Sequence, residues 1–488
     1  MKSIYFHFIG CMTLLVLVSW HEVYGATPHL KISDNGRFLE YADGQRAGKG
    51  FFYLGDTAWE LFHRLNREEA SSYLVNRANK GFTVIQAVAL AELDGLNAPN
   101  PYGHRPFIEN DPRRPDVKQG PQNDYWDHVD YIVEKAASLD LFIGMLPTWG
   151  DKWQPNGGKG PLVFDEANAR TYGQWLGARY RDQPIIWILG GDRNIYTDSE
   201  KRVMESMALG LRKGDEGNHL ITFHPRGPGL SSDYFHNSEW LDFNMVQSSH
   251  AARDHDNGLF IEHDYALNPV KPTLDGEPRY ESIPVGFYNR DVARNLKFDD
   301  YDARQAAYWA LMAGACGHTY GNGNVWQMWD RQHASVLGAS IPWHEAIDHP
   351  GAFQMKHVRK LFESRPFTRL APKDGLVLDG PNRGVAKVRG VVAGDGSFAF
   401  VYSPRGEQFS VNMNEIAGGK IRASWYDPRY GTSVLIHTGD TKGIQSFVPP
   451  SSGRGQDWVL VLDNADLDWA LPGEFTLSKH QPSLHIER

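Results

Sequence analysis

Ile185-Ile186-Trp187-Ile188-Leu189-Gly190-Gly191-Asp192-Arg193-Asn194 is the stretch that decides how this chain folds. Its five apolar residues, most of them β-branched, read as a strand buried on both faces, the pattern of a parallel sheet covered by helices. Two glycines follow, which permit a sharp turn and close approach of a ligand, and then an acid, a base and an amide. A single strand-Gly-Asp reads more readily as an acid that caps the next helix. The choice is made by recurrence: Phe51-Phe52-Tyr53-Leu54-Gly55-Asp56-Thr57-Ala58-Trp59 and Lys271-Pro272-Thr273-Leu274-Asp275-Gly276-Glu277 also carry short strands into acids.

Outward from this stretch, strands alternate with helices. Residues 30–46 form an expected hairpin with turns at Asp34-Asn35-Gly36 and Asp43-Gly44. Strands are expected at 51–59, 83–88, 141–146, 185–189, 220–224, 243–247, 271–277 and 317–321. Helices are expected at 66–81, opened by Asn66 with Glu69 as a capping box, and at 124–139, 164–181, 198–213, 259–267 and 302–315. Strands and helices alternating to a count of eight predict a (β/α)8 TIM-type barrel. A doubly wound sheet is disfavoured because no Gly-x-Gly-x-x-Gly follows the first strand. After 367 the runs 375–378, 384–389, 397–402, 409–413, 422–426, 432–437 and 458–463 are separated by turns such as Asp427-Pro428, which predicts a smaller all-β sandwich domain. The expected organisation is a signal peptide at 1–25, the barrel domain at 26–366 and the sandwich at 367–488.

The signal peptide is read from Lys2, the apolar run 6–20, and Val23-Tyr24-Gly25 before a cut at Ala26. The run is too short for a stable membrane span, and Cys11 lies too early for a lipid anchor. An exported, periplasmic or extracellular protein is expected. After cleavage Cys316 is the one cysteine left, so no internal disulfide can form. A formal charge of −9 without a basic block argues against nucleic acid as partner. The 15 Trp, 21 Tyr and 24 Phe offer flat faces on which sugars stack. An oligosaccharide or polysaccharide is the partner this suggests.

Side chains at the carboxyl ends of barrel strands converge on one mouth. Those ends supply Asp56 and Trp59, Gln86, Trp149, the trio Asp192, Arg193 and Asn194, then His224, His250 and Glu277, with Trp326 and Trp329 beyond the eighth strand. The fourth and seventh strands face each other across an eight-stranded ring, so Asp192 and Glu277 can flank a scissile bond. Glycoside cleavage needs such a pair: one carboxylic acid protonates the leaving oxygen, while one carboxylate attacks the anomeric carbon or activates water. The acid needs a raised pKa, and its partner needs donors, for which Arg193, Asn194 and His250 are candidates. On the seventh strand Asp275 and Glu281 are the alternatives to Glu277. No cofactor motif occurs. His250, Asp254, His255, Asp256, His263 and Asp264 are dense in metal-ligand types, yet they match no zinc or EF-hand spacing, and no metal is expected. Nor is there a Gly-x-Ser-x-Gly elbow for a serine esterase.

Phe52-Tyr53-Leu54-Gly55-Asp56-Thr57-Ala58-Trp59-Glu60-Leu61, the stretch from Trp187 to Asn194, and Leu274-Asp275-Gly276-Glu277-Pro278-Arg279-Tyr280-Glu281 together resemble the apiosidase-like glycoside hydrolases (family 140). Trp425-Tyr426-Asp427-Pro428-Arg429-Tyr430-Gly431 resembles the collagen-binding-type β-sandwich that accompanies them. The resemblance spans nearly the whole mature chain. It implies an exo-acting glycosidase of the pectin-degrading kind that releases D-apiose from rhamnogalacturonan II side chains, with Asp192 as acid/base and Glu277 as nucleophile. Retention is the expected outcome, with a carboxyl separation of about 5–5.5 Å against about 6.5–9.5 Å for inversion. The competing readings are a glycosidase of the same family acting on another plant or microbial glycan, and a non-catalytic carbohydrate-binding barrel.

Overall fold

The computed structural model describes residues 28–289, 295–440 and 442–474; the expected signal peptide at 1–25 lies outside them. Three short antiparallel strands, Leu30–Ile32, Leu39–Tyr41 and Gly50–Phe51, contain the expected hairpin and close the amino end of the barrel. Phe51 packs there against Phe142, with ring centroids 5.1 Å apart.

The barrel strands are β1 (Tyr53–Thr57), β2 (Val84–Val88), β3 (Phe142–Leu146), β4 (Ile185–Gly190), β5 (Ile221–His224), β6 (Asn244–Gln247), β7 (Thr273–Asp275) and β8 (Gly317–Tyr320). They lie side by side in parallel in the order β5-β4-β3-β2-β1-β8-β7-β6. A two-residue strand, Gly229–Leu230, is added antiparallel to β6. β5 and β6 do not form a regular ladder. Asp242 N–H donates to the Ile221 carbonyl (2.9 Å) and Thr222 Oγ1 to the Phe243 carbonyl (2.7 Å), which joins the two edges into a nearly closed TIM-type barrel. The main outer helices are α1 (Arg67–Asn79), α2 (Tyr125–Ser138), α3 (Glu166–Tyr180), α4 (Asp198–Gly214), α5 (Gly258–Tyr265), α6 (Asp300–Met312) and α7 (Pro350–Glu363). The capping box read at Asn66 and Glu69 is present. Among the described residues, no helix is long and apolar enough to cross a membrane.

β7 is shorter than its sequence suggested. Its pairing with β6 ends at Asp275, so Glu277 stands two residues past the strand, on the rim.

The C-terminal region is two antiparallel sheets. One orders Leu370–Pro372, Arg389–Ala393, Phe398–Ser403, Trp458–Asn464, Lys420–Asp427 and Thr432–Asp440; the other holds Val377–Asp379, Phe409–Asn412 and Ile444–Phe447. Val401, Phe409, Val411, Trp425 and Leu460 fill the space between them. The run 384–389 is not a strand: Gly384–Ala386 is a 3-10 turn and pairing begins only at Arg389. Leu370–Pro372 and Ile444–Phe447 were not anticipated, since neither shows an alternating pattern long enough to register.

Buried ion pairs join the sandwich to the barrel. Arg304 on α6 grips Asp457 with two bonds of 2.9 and 2.7 Å, and Arg365 grips Asp463 at 2.8 and 2.7 Å. Both guanidiniums and both carboxylates are at most 1% exposed. Removing one partner of such a pair leaves a charge stranded in low dielectric. Asp457→Ala is therefore expected to cost about 3–5 kcal/mol in equilibrium unfolding; a loss below about 1 kcal/mol would show the interface to be energetically idle.

Candidate active site

Asp192 owes its position to the two glycines before it. Gly190 and Gly191 adopt φ of 95° and 87°, a region that side chains disfavour. A Cβ on Gly190 would sit 2.4 Å from the His224 carbonyl oxygen, and one on Gly191 would sit 2.9 Å from the Gly150 nitrogen. The end of β4 is thus pressed between β5 and the loop after β3, and Asp192 itself is turned to φ 54°. Ser249 and Ser282, on the segments that flank Glu277, also have positive φ. Strained backbone gathered at one mouth is a mark of a functional site.

The Asp192 carboxyl is 30% exposed toward the mouth, and Arg193 Nη1 lies 3.5 Å from its Oδ2. Burial raises its pKa, and the charge of Glu277 raises it further; Arg193, His224 and Arg226 oppose both, leaving it at about 6. Arg193 also donates to the Asp192 carbonyl at 2.7 Å and to the Gly157 carbonyl at 3.0 Å, which fixes the loop. Asn194 ties neighbouring loops together. Its Oδ1 accepts the Arg226 N–H at 2.9 Å and thereby places Arg226 near Asp192.

Glu277 has the opposite environment. His250 Nε2 lies 3.1 Å from Oε1, and His224 Nε2 lies 3.0 Å from Oε2, off the hydrogen-bond axis. Burial alone would raise this carboxyl, but the two histidine side chains outweigh it and lower it to about 2. The tautomer of His224 follows from its other nitrogen. Asp192 N–H donates to His224 Nδ1 (3.3 Å), so the ring proton of a neutral His224 sits on Nε2, facing Glu277. One imidazole therefore links the backbone of the first acid to the side chain of the second.

Aromatic residues wall this site. Trp59 lies 5.4 Å from Trp149 and stands edge-on to His224 at 5.5 Å. Trp326 is buried in the same hydrophobic cluster as these two tryptophans. Trp329 is spent locally, its Nε1 donating to the His333 carbonyl.

Two expected mouth residues lie elsewhere. Asp56 is fully buried and faces α1, where Arg77 Nε donates to it at 2.6 Å and Tyr73 also bonds it. Successive residues of a strand alternate faces, and Asp56 falls on the outer one. Gln86 is inside the barrel, donating to Tyr53 Oη (3.1 Å) and Thr319 Oγ1 (2.8 Å) in its packed interior. The alternatives to Glu277 are committed too. Asp275 accepts from Ser248 (2.8 Å) and Asn257 (2.9 Å), and Glu281 accepts from Tyr320 (2.5 Å) and the Gly351 N–H (3.2 Å).

Two groups at the mouth were not anticipated. The Tyr280 hydroxyl is buried near Thr57 and Glu277 without a hydrogen bond of good geometry, and its ring meets His250 edge-on at 4.6 Å. That ring occupies the space a Cβ on Gly321 would need, 2.2 Å from Cδ1. Glu92, four residues beyond β2, is half-buried among other acids. Burial and the charges of Asp192, Glu60, Glu277 and Asp151 hold it well above the usual carboxylate range. Among the described residues, no group of three or more His, Cys, Asp or Glu is arranged to hold a metal ion.

A partly enclosed Asp192 that holds its proton up to about pH 6, with a clamped, ionised Glu277 coupled to it, can deliver a proton and a carboxylate to one bond. The coupling is testable directly. In aspartate-labelled protein the Asp192 carboxyl, identified by its loss in Asp192→Asn, should titrate near pH 6. In Glu277→Gln its midpoint should fall toward the ordinary aspartate value, and an unmoved midpoint would contradict the coupling.

The arrangement can be set beside known proteins. Residues 33–369 match the family model described as "Apiosidase-like, catalytic domain", and residues 371–463 match one described as "Putative collagen-binding domain of a collagenase". A solved structure titled "Glycoside hydrolase" is similar at 33% identity and a TM-score of 0.82, over 91% of this chain and 98% of that one. Another, a glycoside hydrolase family 5 structure from Bacteroides vulgatus ATCC 8482, is 31% identical with a TM-score of 0.83, over 92% of this chain and 96% of that one. A search of curated proteins finds no match. A family match over most of the barrel, together with two solved glycoside hydrolases alike across both domains, leads to one conclusion: the chain belongs to the apiosidase-like family and is a glycoside hydrolase.

Proposed function

We propose that this protein is an exo-acting, retaining glycosidase that removes terminal D-apiose from the side chains of rhamnogalacturonan II. The observation that carries the catalytic part is the opposed environment of two carboxyls at one mouth: Asp192 is held at about 6 and Glu277 at about 2. Groups driven apart in this way take different roles in acid–base chemistry.

In this reading Glu277 attacks the anomeric carbon as Asp192 protonates the departing glycosidic oxygen, giving a glycosyl–enzyme ester and a free aglycone. Water then attacks the same carbon, giving its proton to Asp192 and releasing Glu277. His224 and His250 keep Glu277 ionised and aimed, while Trp59 and Trp149, themselves buried, pack against the His224 ring and hold it in place. An aspartate donor is one methylene shorter than a glutamate, so the leaving oxygen must approach β4 closely. The choice of sugar rests on the family to which the chain belongs. A wall polysaccharide lies outside the cell, which fits the export read from the N-terminal sequence, in the periplasm or beyond.

Purified wild type, Asp192→Asn and Glu277→Gln incubated with rhamnogalacturonan II oligosaccharides and a panel of aryl glycosides provide the test. Wild type should release apiose, and its first-formed anomer should have the substrate's configuration. Each variant should lose at least about 100-fold in rate while staying folded. Release of another sugar would replace the substrate and keep the two carboxylates; inversion would remove the ester.

The pH profile follows with its sign. Turnover needs Asp192 protonated and Glu277 ionised, so kcat/KM should fall as pH rises through about 6 and again as it drops toward about 2. A profile still rising above pH 7 would contradict Asp192 as the acid.

A further inference from the structure

We infer that the C-terminal sandwich is part of the catalytic apparatus: by gripping Asp256 with Arg389 and Lys387, it holds the loop that seats His250 against Glu277. The inference rests on the reading of Glu277 as the nucleophile and extends it to residues outside the barrel.

The loop runs from Ser248 at the end of β6 to Asn257 before α5. Its two ends are pinned to one carboxylate of β7, since Ser248 Oγ and Asn257 Nδ2 both donate to Asp275 Oδ2, at 2.8 and 2.9 Å. Its inner face is tied to the segment carrying Glu277. Arg279, buried and two residues past Glu277, donates Nη1 to the carbonyls of Arg253 (2.6 Å) and His255 (3.2 Å).

The outer face of the loop belongs to the sandwich. Arg389, on the sandwich strand Arg389–Ala393, donates Nη2 to both oxygens of Asp256, at 3.0 and 2.9 Å. Lys387 Nζ lies 3.3 Å from the same carboxylate. Gly258 lets the guanidinium lie flat on the chain, since a Cβ there would sit 2.7 Å from Cζ. A second strut runs through the barrel: Arg454 of the sandwich donates to Asp302 Oδ1 (2.8 Å), whose Oδ2 lies 3.2 Å from Arg253 Nε. Trp309, over which Arg279 lies, donates Nε1 to the Lys387 carbonyl at 3.0 Å. The sandwich thus reaches both the 253–256 part of this loop and the Arg279 side of the Glu277 segment, while the His250 carbonyl accepts from Gly286 N–H (2.7 Å).

The charged and titratable groups facing Glu277 are His224 from β5, His250 from this loop, Asp192 after β4, Glu92 after β2 and Tyr280 on its own segment. Those facing Asp256 are Arg389, Lys387 and the adjacent His255. Releasing the loop withdraws His250 and leaves burial acting on Glu277 with one histidine fewer to oppose it. The nucleophile then needs a higher pH to ionise.

Asp256→Asn in the full chain is the test, because the amide keeps the shape and the oxygen that accepts the Gly258 N–H while giving up the charge. Hydrogen–deuterium exchange of the 248–257 segment should rise by about tenfold or more, with the barrel strands unchanged. The acidic limb of kcat/KM, on the substrate wild type cleaves fastest, should move up by about one pH unit, as it should in His250→Gln. Arg389→Met should reproduce both effects if it folds. If His250→Gln moves the limb and Asp256→Asn does not, the inference is overturned. If His250→Gln itself leaves the limb unmoved, the reading of Glu277 fails instead, and the clamp is judged by exchange alone, where an unchanged 248–257 segment overturns it.

Discussion

Everything at the mouth of this barrel depends on holding one carboxylate ionised inside protein. Burial disfavours the charged form of any carboxyl, and Glu277 is deep enough to feel it. Two histidines on adjacent strand ends reverse the balance, each about 3 Å from a different oxygen. The ionised Glu277 in turn raises Asp192 across the ring, so the protonation of one acid is partly a consequence of the ionisation of the other. His224 touches both sides of this arrangement, accepting from the Asp192 backbone and facing Glu277 with its other nitrogen. The strained glycine turn after β4 and the loop after β6 both serve to keep this imidazole pair and the two acids within reach of each other.

The barrel was largely legible in the sequence because its signals are local. Runs such as Ile185-Ile186-Trp187-Ile188-Leu189 cannot be anything but doubly buried, and caps such as Asn66 with Glu69 announce their helices. The acid pair was legible for a related reason: a strand end in a barrel has one place to point. Where the reading erred, the missing information was which face of the strand or which partner. Asp56 has the same Gly-Asp signature as Asp192, but it remains within the regular pleat of β1, while Asp192 has left β4 through two glycines. Its partner Arg77 lies 21 residues downstream, and nothing local marks the pair. Gln86 lies within β2, as its sequence indicates, but its side chain is spent on Tyr53 and Thr319 in the packed interior, and neither partner is local to it.

Tyr280 and Glu92 were missed for a different reason. Neither stands at a strand end: one belongs to the segment beyond β7, the other to the loop beyond β2, and only the folded loops bring them to the pair. Loops carry much of the chemistry on such scaffolds and obey the weakest sequence rules. The histidine clamp shows the same limit. His224 and His250 were each visible at a strand end, whereas their convergence on opposite oxygens of one carboxylate is a property of the closed ring.

The sandwich changes how the whole chain is viewed. Buried arginine–aspartate pairs join it to α6 and to the end of α7, and a further set reaches the loop that bears His250. Separating such a pair strands a charge in low dielectric, so these contacts fix the geometry of the interface. A domain of this kind can be carried for what it does to the barrel, whatever else it binds. Glu277 is proposed to be the nucleophile at the anomeric carbon, and one measurement addresses that most directly. The enzyme would be inactivated with a 2-fluorinated glycosyl fluoride of the sugar it releases, digested, and mapped by mass spectrometry. The account predicts a single adduct of one sugar on Glu277; an adduct on Glu92 or Asp192, or turnover without any adduct and with inverted product, would contradict it.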